Sequence, residues 1–127
     1  MKLQSIHHIA IICSDYNVSK HFYTEILGLT ILCETYRTER DSYKLDLELN
    51  SVQIELFSFP NPPLRPSYPE ARGLRHLAFS VDDIEGFVKY LESHQIKSES
   101  IRTDELTGKR FTFFADPDGL PLELYEL

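Results

Sequence analysis

Two histidines and two glutamates recur at matched positions in this chain, and together they have the chemistry of a divalent-metal site. His8 opens the segment His8-Ile9-Ala10-Ile11, and His76 opens His76-Leu77-Ala78-Phe79, 68 residues later. The same offset of 68 carries Glu55, in Ile54-Glu55-Leu56-Phe57, onto Glu123, in Leu122-Glu123-Leu124-Tyr125. All four stand in apolar, strand-like sequence, where an ionised carboxylate needs a cation or a proton as partner. Two imidazoles and two carboxylates converging across a pseudo-twofold suit one divalent ion. Zn, Ni and Co fit that ligand set, as do Mn and Fe(II). Four protein ligands on an ion that accepts six leave room for water or substrate.

The elements that must position these residues repeat with them, as tandem modules do. Without gaps, the offset also sets Asp15 on Asp83, Tyr43 on Phe111, Leu45 on Phe113 and Asn50 on Asp118. Strand side chains alternate between faces. His8, Ala10 and Ile12 therefore share one face, and His76, Ala78 and Ser80 the equivalent one. Glu55 lies with Gln53 and Phe57, Glu123 with Pro121 and Tyr125. His7 to Cys13 reads as the opening strand. Asp15 is the N-cap of a helix whose apolar stripe is Val18, Phe22 and Ile26, widened by Tyr23 and Leu27, with Gly28 at C′. In the second half Asp82 or Asp83 is the cap, and Ile84, Phe87, Val88 and Leu91 form the stripe. Tyr43, Leu45, Leu47 and Leu49 alternate with Lys44, Asp46 and Glu48 in a half-buried strand, while Asn50-Ser51 and Asp116-Pro117-Asp118-Gly119 are hairpin turns.

Each half thus reads as β-α-β-β-β, and the fold class as α+β. Five of the seven prolines lie between Pro60 and Gly73, which predicts a stiff, extended connector at 60–73 joining modules at about 5–59 and 74–127. Neither module can cover both faces of a lone sheet, so residues 1–127 are expected to make one domain.

Other chemistry-bearing residues carry weaker signals. His7 has Arg75 at its repeat position and is expected to be structural or exposed; His21 and His94 fall in or at the ends of helices. Cys13 and Cys33 lie in apolar stretches without metal-pair spacing, consistent with reduced thiols in the cytoplasm. Arg65, Arg72, Arg75, Lys109 and Arg110 are candidates to hold an anionic substrate group, although solvated charge explains each as well. Thirteen Lys and Arg against twenty Asp and Glu leave a net charge of −7, which argues against nucleic-acid and anionic-membrane partners. No apolar run approaches the roughly 18 residues of a membrane span, and the N-terminus lacks the apolar core of a signal peptide.

The paired modules with H-[IL]-A-[IF] openings and [IL]-E-L endings, together with Asp116-Pro117-Asp118-Gly119-Leu120-Pro121-Leu122-Glu123-Leu124, resemble the vicinal oxygen chelate superfamily over essentially the whole chain. Within it the sequence is similar to small bacterial glyoxalase I-like (lactoylglutathione lyase-like) proteins. The resemblance implies a cupped mixed sheet around one divalent metal ion and a small-molecule substrate. It also implies a homodimer, in which the ligands come from one chain or from two. Extradiol dioxygenases and fosfomycin-resistance thiol transferases typically have no carboxylate where Glu55 stands. The set His8, Glu55, His76 and Glu123 matches glyoxalase I best. That match implies enediolate proton transfer on a substrate such as a 2-oxoaldehyde–thiol hemithioacetal, with Glu123 as catalytic base and Glu55 its pseudo-symmetric counterpart. Phe57 and Tyr125, on the ligand face, shape the pocket or pack the core. Where glutathione-dependent members place an Arg and an Asn to hold glutathione, this chain has Ile12 and Phe59. Another thiol adduct or a CoA thioester therefore stays open. So do an acyl-CoA epimerase of the methylmalonyl-CoA type and a non-catalytic small-molecule binder.

Overall fold

Period-two alternation of apolar and polar residues builds both halves. In the computed structural model, which describes all residues 1–127, the chain divides into two compact units, Met1–Pro63 and Leu64–Leu127. In the first unit the strands are β1 (His8–Cys13), β2 (Thr30–Arg37), β3 (Ser42–Leu49) and β4 (Val52–Ser58), in the sheet order β1-β4-β3-β2. In the second they are β5 (Leu77–Val81), β6 (Arg102–Thr103), β7 (Arg110–Ala115) and β8 (Pro121–Glu126), ordered β5-β8-β7-β6. Each sheet is mixed: the first strand pairs parallel with the last, and the other pairs are antiparallel. A parallel pair needs a crossover, and helices α1 (Tyr16–His21) and α2 (Ile84–Ser93) begin those connections and pack on β4 and β8.

Both helix starts are capped as expected. The Asp15 carboxylate accepts from Val18 N at 3.1 Å and that of Asp83 from Gly86 N at 2.9 Å, so Asp83 rather than Asp82 is the second cap. The first helix departs from the 3.6-residue pattern. After His21 the chain passes into a π-helical turn, Phe22–Ile26, closed by Leu27 N on Phe22 O at 2.9 Å. Ser19, Phe22 and Tyr23 are buried at i, i+3 and i+4, and Val18, ahead of the π turn and at the edge of that stripe, is left half in solvent at 50% exposure. Gly28 follows at φ +77°, the left-handed position expected at C′.

The cores form on the helix-facing sides: Leu45, Leu47, Ile54 and Leu56 in the first unit, Thr112, Phe114, Leu122 and Leu124 in the second. Burying each of the large apolar side chains stabilises the fold by about 1.5–3 kcal/mol. The other side of each sheet carries His8 and Glu55, or His76 and Glu123.

The gapless offset fails in one strand. Ala10 pairs with Glu55 and Ala78 with Glu123, so the first and last strands keep the offset of 68. The third strand does not, because Asp46 stands opposite Glu55 but Phe113 stands opposite Glu123. Tyr43 and Leu45 therefore match Arg110 and Thr112, and the expected matches to Phe111 and Phe113 are one residue out. The cause lies in the hairpins. Leu49 and Val52 close a two-residue turn at Asn50-Ser51, whereas Ala115 and Pro121 flank a loop of five. That loop lets one extra residue stand between the matched pairs, and a slip of one exchanges the faces of the strand. Asp116 holds the longer loop, its carboxylate accepting from Asp118 N and Leu120 N, each at 2.9 Å.

No helix or strand lies between β4 and β5, as the prolines require. The segment is not a straight spacer, however. It turns at 67–70, and Arg65 donates to the carbonyls of Leu74 and Arg75 at 2.9 and 3.0 Å, drawing its two ends together. No helix is long and apolar enough to cross a membrane.

Candidate functional site

The parallel pairing brings each histidine to its glutamate. His8 lies two residues before Ala10, and Ala10 is level with Glu55, so the imidazole reaches the carboxylate past a small side chain. His8 Nε2 stands 2.7 Å from Glu55 Oε2. His76 Nε2 stands 3.0 Å from Glu123 Oε2 in the same arrangement. Both glutamates are largely shielded, with side-chain exposures of 13% and 12%.

These spacings suit a shared ion. Metal–nitrogen and metal–oxygen bonds of about 2.0–2.2 Å at right angles put neighbouring ligand atoms about 3 Å apart. Each pair therefore has the separation of two adjacent ligands, its Nε2 and carboxylate oxygen here in direct contact with each other. No group of three or more His, Cys, Asp or Glu is gathered in a metal-binding arrangement; the four residues stand as two pairs, one in each unit.

The surroundings of the two pairs differ. In the first unit Lys44 Nζ lies 2.7 Å from Glu55 Oε1 and 2.6 Å from Asp46, so both oxygens of Glu55 are held, one by His8 and one by Lys44. Asp46 and Glu55 together hold the Lys44 ammonium above the usual lysine value. Sequence periodicity had already put Lys44 and Asp46 on the polar side of β3. Only strand pairing set them beside the glutamate.

In the second unit Phe113 takes the place of Asp46, its ring meeting His76 edge-on with centroids 5.1 Å apart. Glu123 bonds His76 through Oε2, and Oε1 has no hydrogen bond or ion pair. His76 Nδ1 lies 3.1 Å from Arg75 Nη1. Guanidinium only donates, so this contact leaves the ring proton on Nε2, where it points at Glu123. Ligation through Nε2 needs the other tautomer and so requires Arg75 to withdraw.

The remaining candidates separate clearly. Glu123 lines a cleft of about 970 Å³ together with Arg65, Arg72 and Arg75. Lys97 and Arg102, which sequence reasoning passed over, line it too. Both sit near a loop held to β7 by Glu99 N on Phe113 O and Thr112 Oγ1 on Glu99 O, at 2.8 and 2.7 Å. Arg110 is instead engaged by Glu126 at 2.6 Å and Glu85 at 2.8 Å, and Lys109 does not line the cleft. Tyr125 donates to Asp104 at 3.0 Å and is not among the lining residues. Phe57 stacks with Phe59 at 6.0 Å, and the Arg37 guanidinium lies over both rings at 4.8 and 5.4 Å. Ile12 is 54% exposed. His7 precedes β1, so strand alternation does not govern it; it is exposed, with its ring edge-on to His8. His21 and His94 are exposed, and neither Cys13 nor Cys33 is in a disulfide.

Comparison with known proteins gives a consistent result. The family model described as the Glyoxalase/Bleomycin resistance protein/Dioxygenase superfamily matches residues 5–124. Escherichia coli (strain K12) has an uncharacterized protein, YaeR, that is 67% identical over 98% of this chain and 97% of its own length. The crystal structure of a glyoxalase family protein from Enterococcus faecalis superimposes with a TM-score of 0.92 at 52% identity, covering 99% of this chain and all of that one. At greater distance stand the metallothiol transferase FosB of Staphylococcus saprophyticus, 30% identical over 97% of this chain and 77% of its own length, and a 2-epi-5-epi-valiolone epimerase from Actinomyces sp. The epimerase is 26% identical over 97% of this chain and 79% of its own length.

Proposed function

The chain belongs to the Glyoxalase/Bleomycin resistance protein/Dioxygenase superfamily, and from that premise we propose that it is a divalent-metal-dependent lyase or isomerase of glyoxalase I type. In this reading His8, Glu55, His76 and Glu123 hold one ion of the Zn, Ni or Co kind, and the substrate is a small oxygenated molecule such as a 2-oxoaldehyde–thiol hemithioacetal. An ion held by these residues would supply Lewis acidity that makes the substrate C–H more acidic. The protein's part is proton transfer: Glu123 takes the proton from one carbon and returns it to the next.

The observation that carries the reading is the inequality of the two glutamates. Glu55 is held at both oxygens, as a ligand kept in place should be. Glu123 keeps one oxygen unengaged and lines the cleft, as a carboxylate that exchanges a proton must. Ile12 and Phe59, where glutathione contacts would be expected, are apolar and favour a thiol other than glutathione. Exposed Ile31, Leu32 and Tyr36 on β2 offer apolar surface that a second copy would cover, in keeping with a homodimer.

The test uses purified protein, stripped of metal and reloaded in turn with Ni, Co, Zn and Mn. Methylglyoxal is offered with glutathione and with other low-molecular-weight thiols. Metal-dependent turnover that collapses in Glu123→Gln is the expected result. Full turnover in that variant with metal bound refutes the assignment. A second reading on the same residues is epimerisation, the reaction class named for a relative 26% identical to this chain, with a 2-substituted acyl-CoA as the substrate to test. Solvent deuterium entering the substrate α-carbon, with no hemithioacetal turnover, would select it.

A further inference from the structure

The cleft beside Glu123 lies wholly within Leu64–Leu127, and its charge runs against that of the protein. The whole chain carries −7. The cleft is lined by five basic side chains and three acidic ones. Two of the five are matched locally, Arg75 with Glu70 at 2.8 Å and Arg102 with Glu99 at 2.7 Å. Arg72 and Lys97 have no ion-pair or hydrogen-bond partner. Arg65 spends its Nη2 on the carbonyls of Leu74 and Arg75 and keeps a buried Nε without an acceptor. A buried donor left unsatisfied is costly, and a ligand oxygen is the ordinary remedy. Three cations therefore remain against one carboxylate, Glu123, which already bonds His76. Phe111 and Phe113 supply apolar surface in the same cleft.

We propose that this cleft binds an oxyanion, a carboxylate or a phosphate ester, through Arg65, Arg72 and Lys97. The oxyanion is carried on a flat or apolar body that lies against Phe111 and Phe113. Guanidinium forks match both kinds of oxyanion, and a neutral substrate would leave this charge unused. The proposal names a substrate class for the function above, and rests on that reading only in directing the substrate's acidic C–H toward Glu123.

The probes are phenylpyruvate, phenyl phosphate and the neutral methyl ester of phenylpyruvate, titrated calorimetrically into the full chain, both metal-free and zinc-loaded. At least one anion should bind the metal-free protein tenfold or more tightly than the ester, and added salt should weaken the anion alone. Selectivity for phenylpyruvate identifies a carboxylate site, and selectivity for phenyl phosphate a phosphate site. Arg72→Gln combined with Lys97→Gln, both exposed and unpartnered residues, should erase at least tenfold of the anion affinity and leave zinc binding unchanged. If that variant does not fold, the salt series on the unaltered chain decides the same question. The proposal is overturned if anions bind no better than the ester, if the double variant binds them as before, or if they bind only with zinc present. Absence of zinc binding with anion selectivity intact would instead refute the metal-dependent function and leave this inference standing.

Discussion

Opposite Glu55 stands Asp46, with Lys44 bridging the two; opposite Glu123 stands Phe113, with an aromatic neighbour, Phe111, in the position that matches Lys44. The two units share strand order, capped helices and the His–Glu spacing. They differ where a hairpin two residues long in one is five in the other. The comparison teaches how a duplicated module can keep its ligands and change their setting. One added residue in the register leaves the parallel pair untouched, and the third strand then presents its other face. The first unit thereby acquires a clamp for its carboxylate. The second acquires an open, aromatic, cationic cleft.

The sharpest way to break this comparison is to exchange the acids for amides. Glu123→Gln should lower kcat by roughly 10²–10⁴-fold, the usual worth of a general base. Glu55→Gln should show its main effect as weaker metal binding. Steady-state kinetics beside metal titration separates the two, and equal losses of kcat at saturating metal would show the glutamates to be interchangeable. The register slip predicts a difference in stability at matched core positions. Leu45→Ala should cost about 2–5 kcal/mol by denaturant unfolding. Thr112→Ala removes a smaller group and the bond to Glu99 O, and should cost about 1 kcal/mol.

A smaller effect should follow from releasing the clamp. Lys44→Met frees Glu55 Oε1 without touching a ligand, and should reduce metal affinity roughly tenfold, at the low end for groups that orient ligands. Lys44→Arg should restore part of it, and no change in a calorimetric titration would make Lys44 a bystander. The smallest effect concerns acid. Side-chain hydrogen bonds from Arg110 hold the Glu126 carboxyl below its ordinary value of 4.5. That contribution is complete above the ordinary value and disappears as pH falls through the lowered one. Melting temperature should therefore fall on acidification, and Arg110→Gln should make the fall shallower.

Much of this was legible before any fold was known. The offset between His8 and His76 and between Glu55 and Glu123 survives because those strands pair in parallel at the same register in both units. Asp15, Gly28, Asn50 and Asp116 announce caps and turns through chemistry local to the chain. The third strand misled for a definite reason. Phe111, Phe113 and Phe114 put apolar residues on both parities of β7, so alternation does not say which face is inward. In the first helix the spacing put Phe22 and Tyr23 inward, as they are, but Val18 is half exposed and nothing in the spacing announces the π turn at Phe22–Ile26.

The sequence by itself thus determined the order of elements, through short-range periodicity, and the matched positions His8/His76 and Glu55/Glu123, through a repeat countable along the chain, while its motifs carried the family resemblance. Tertiary structure alone decided what surrounds those pairs. Lys44 meets Glu55 across a hairpin, and Arg65, Arg72 and Lys97 reach the Glu123 cleft from segments far apart in sequence. Charges act through space, and which of them become neighbours depends on how the chain closes.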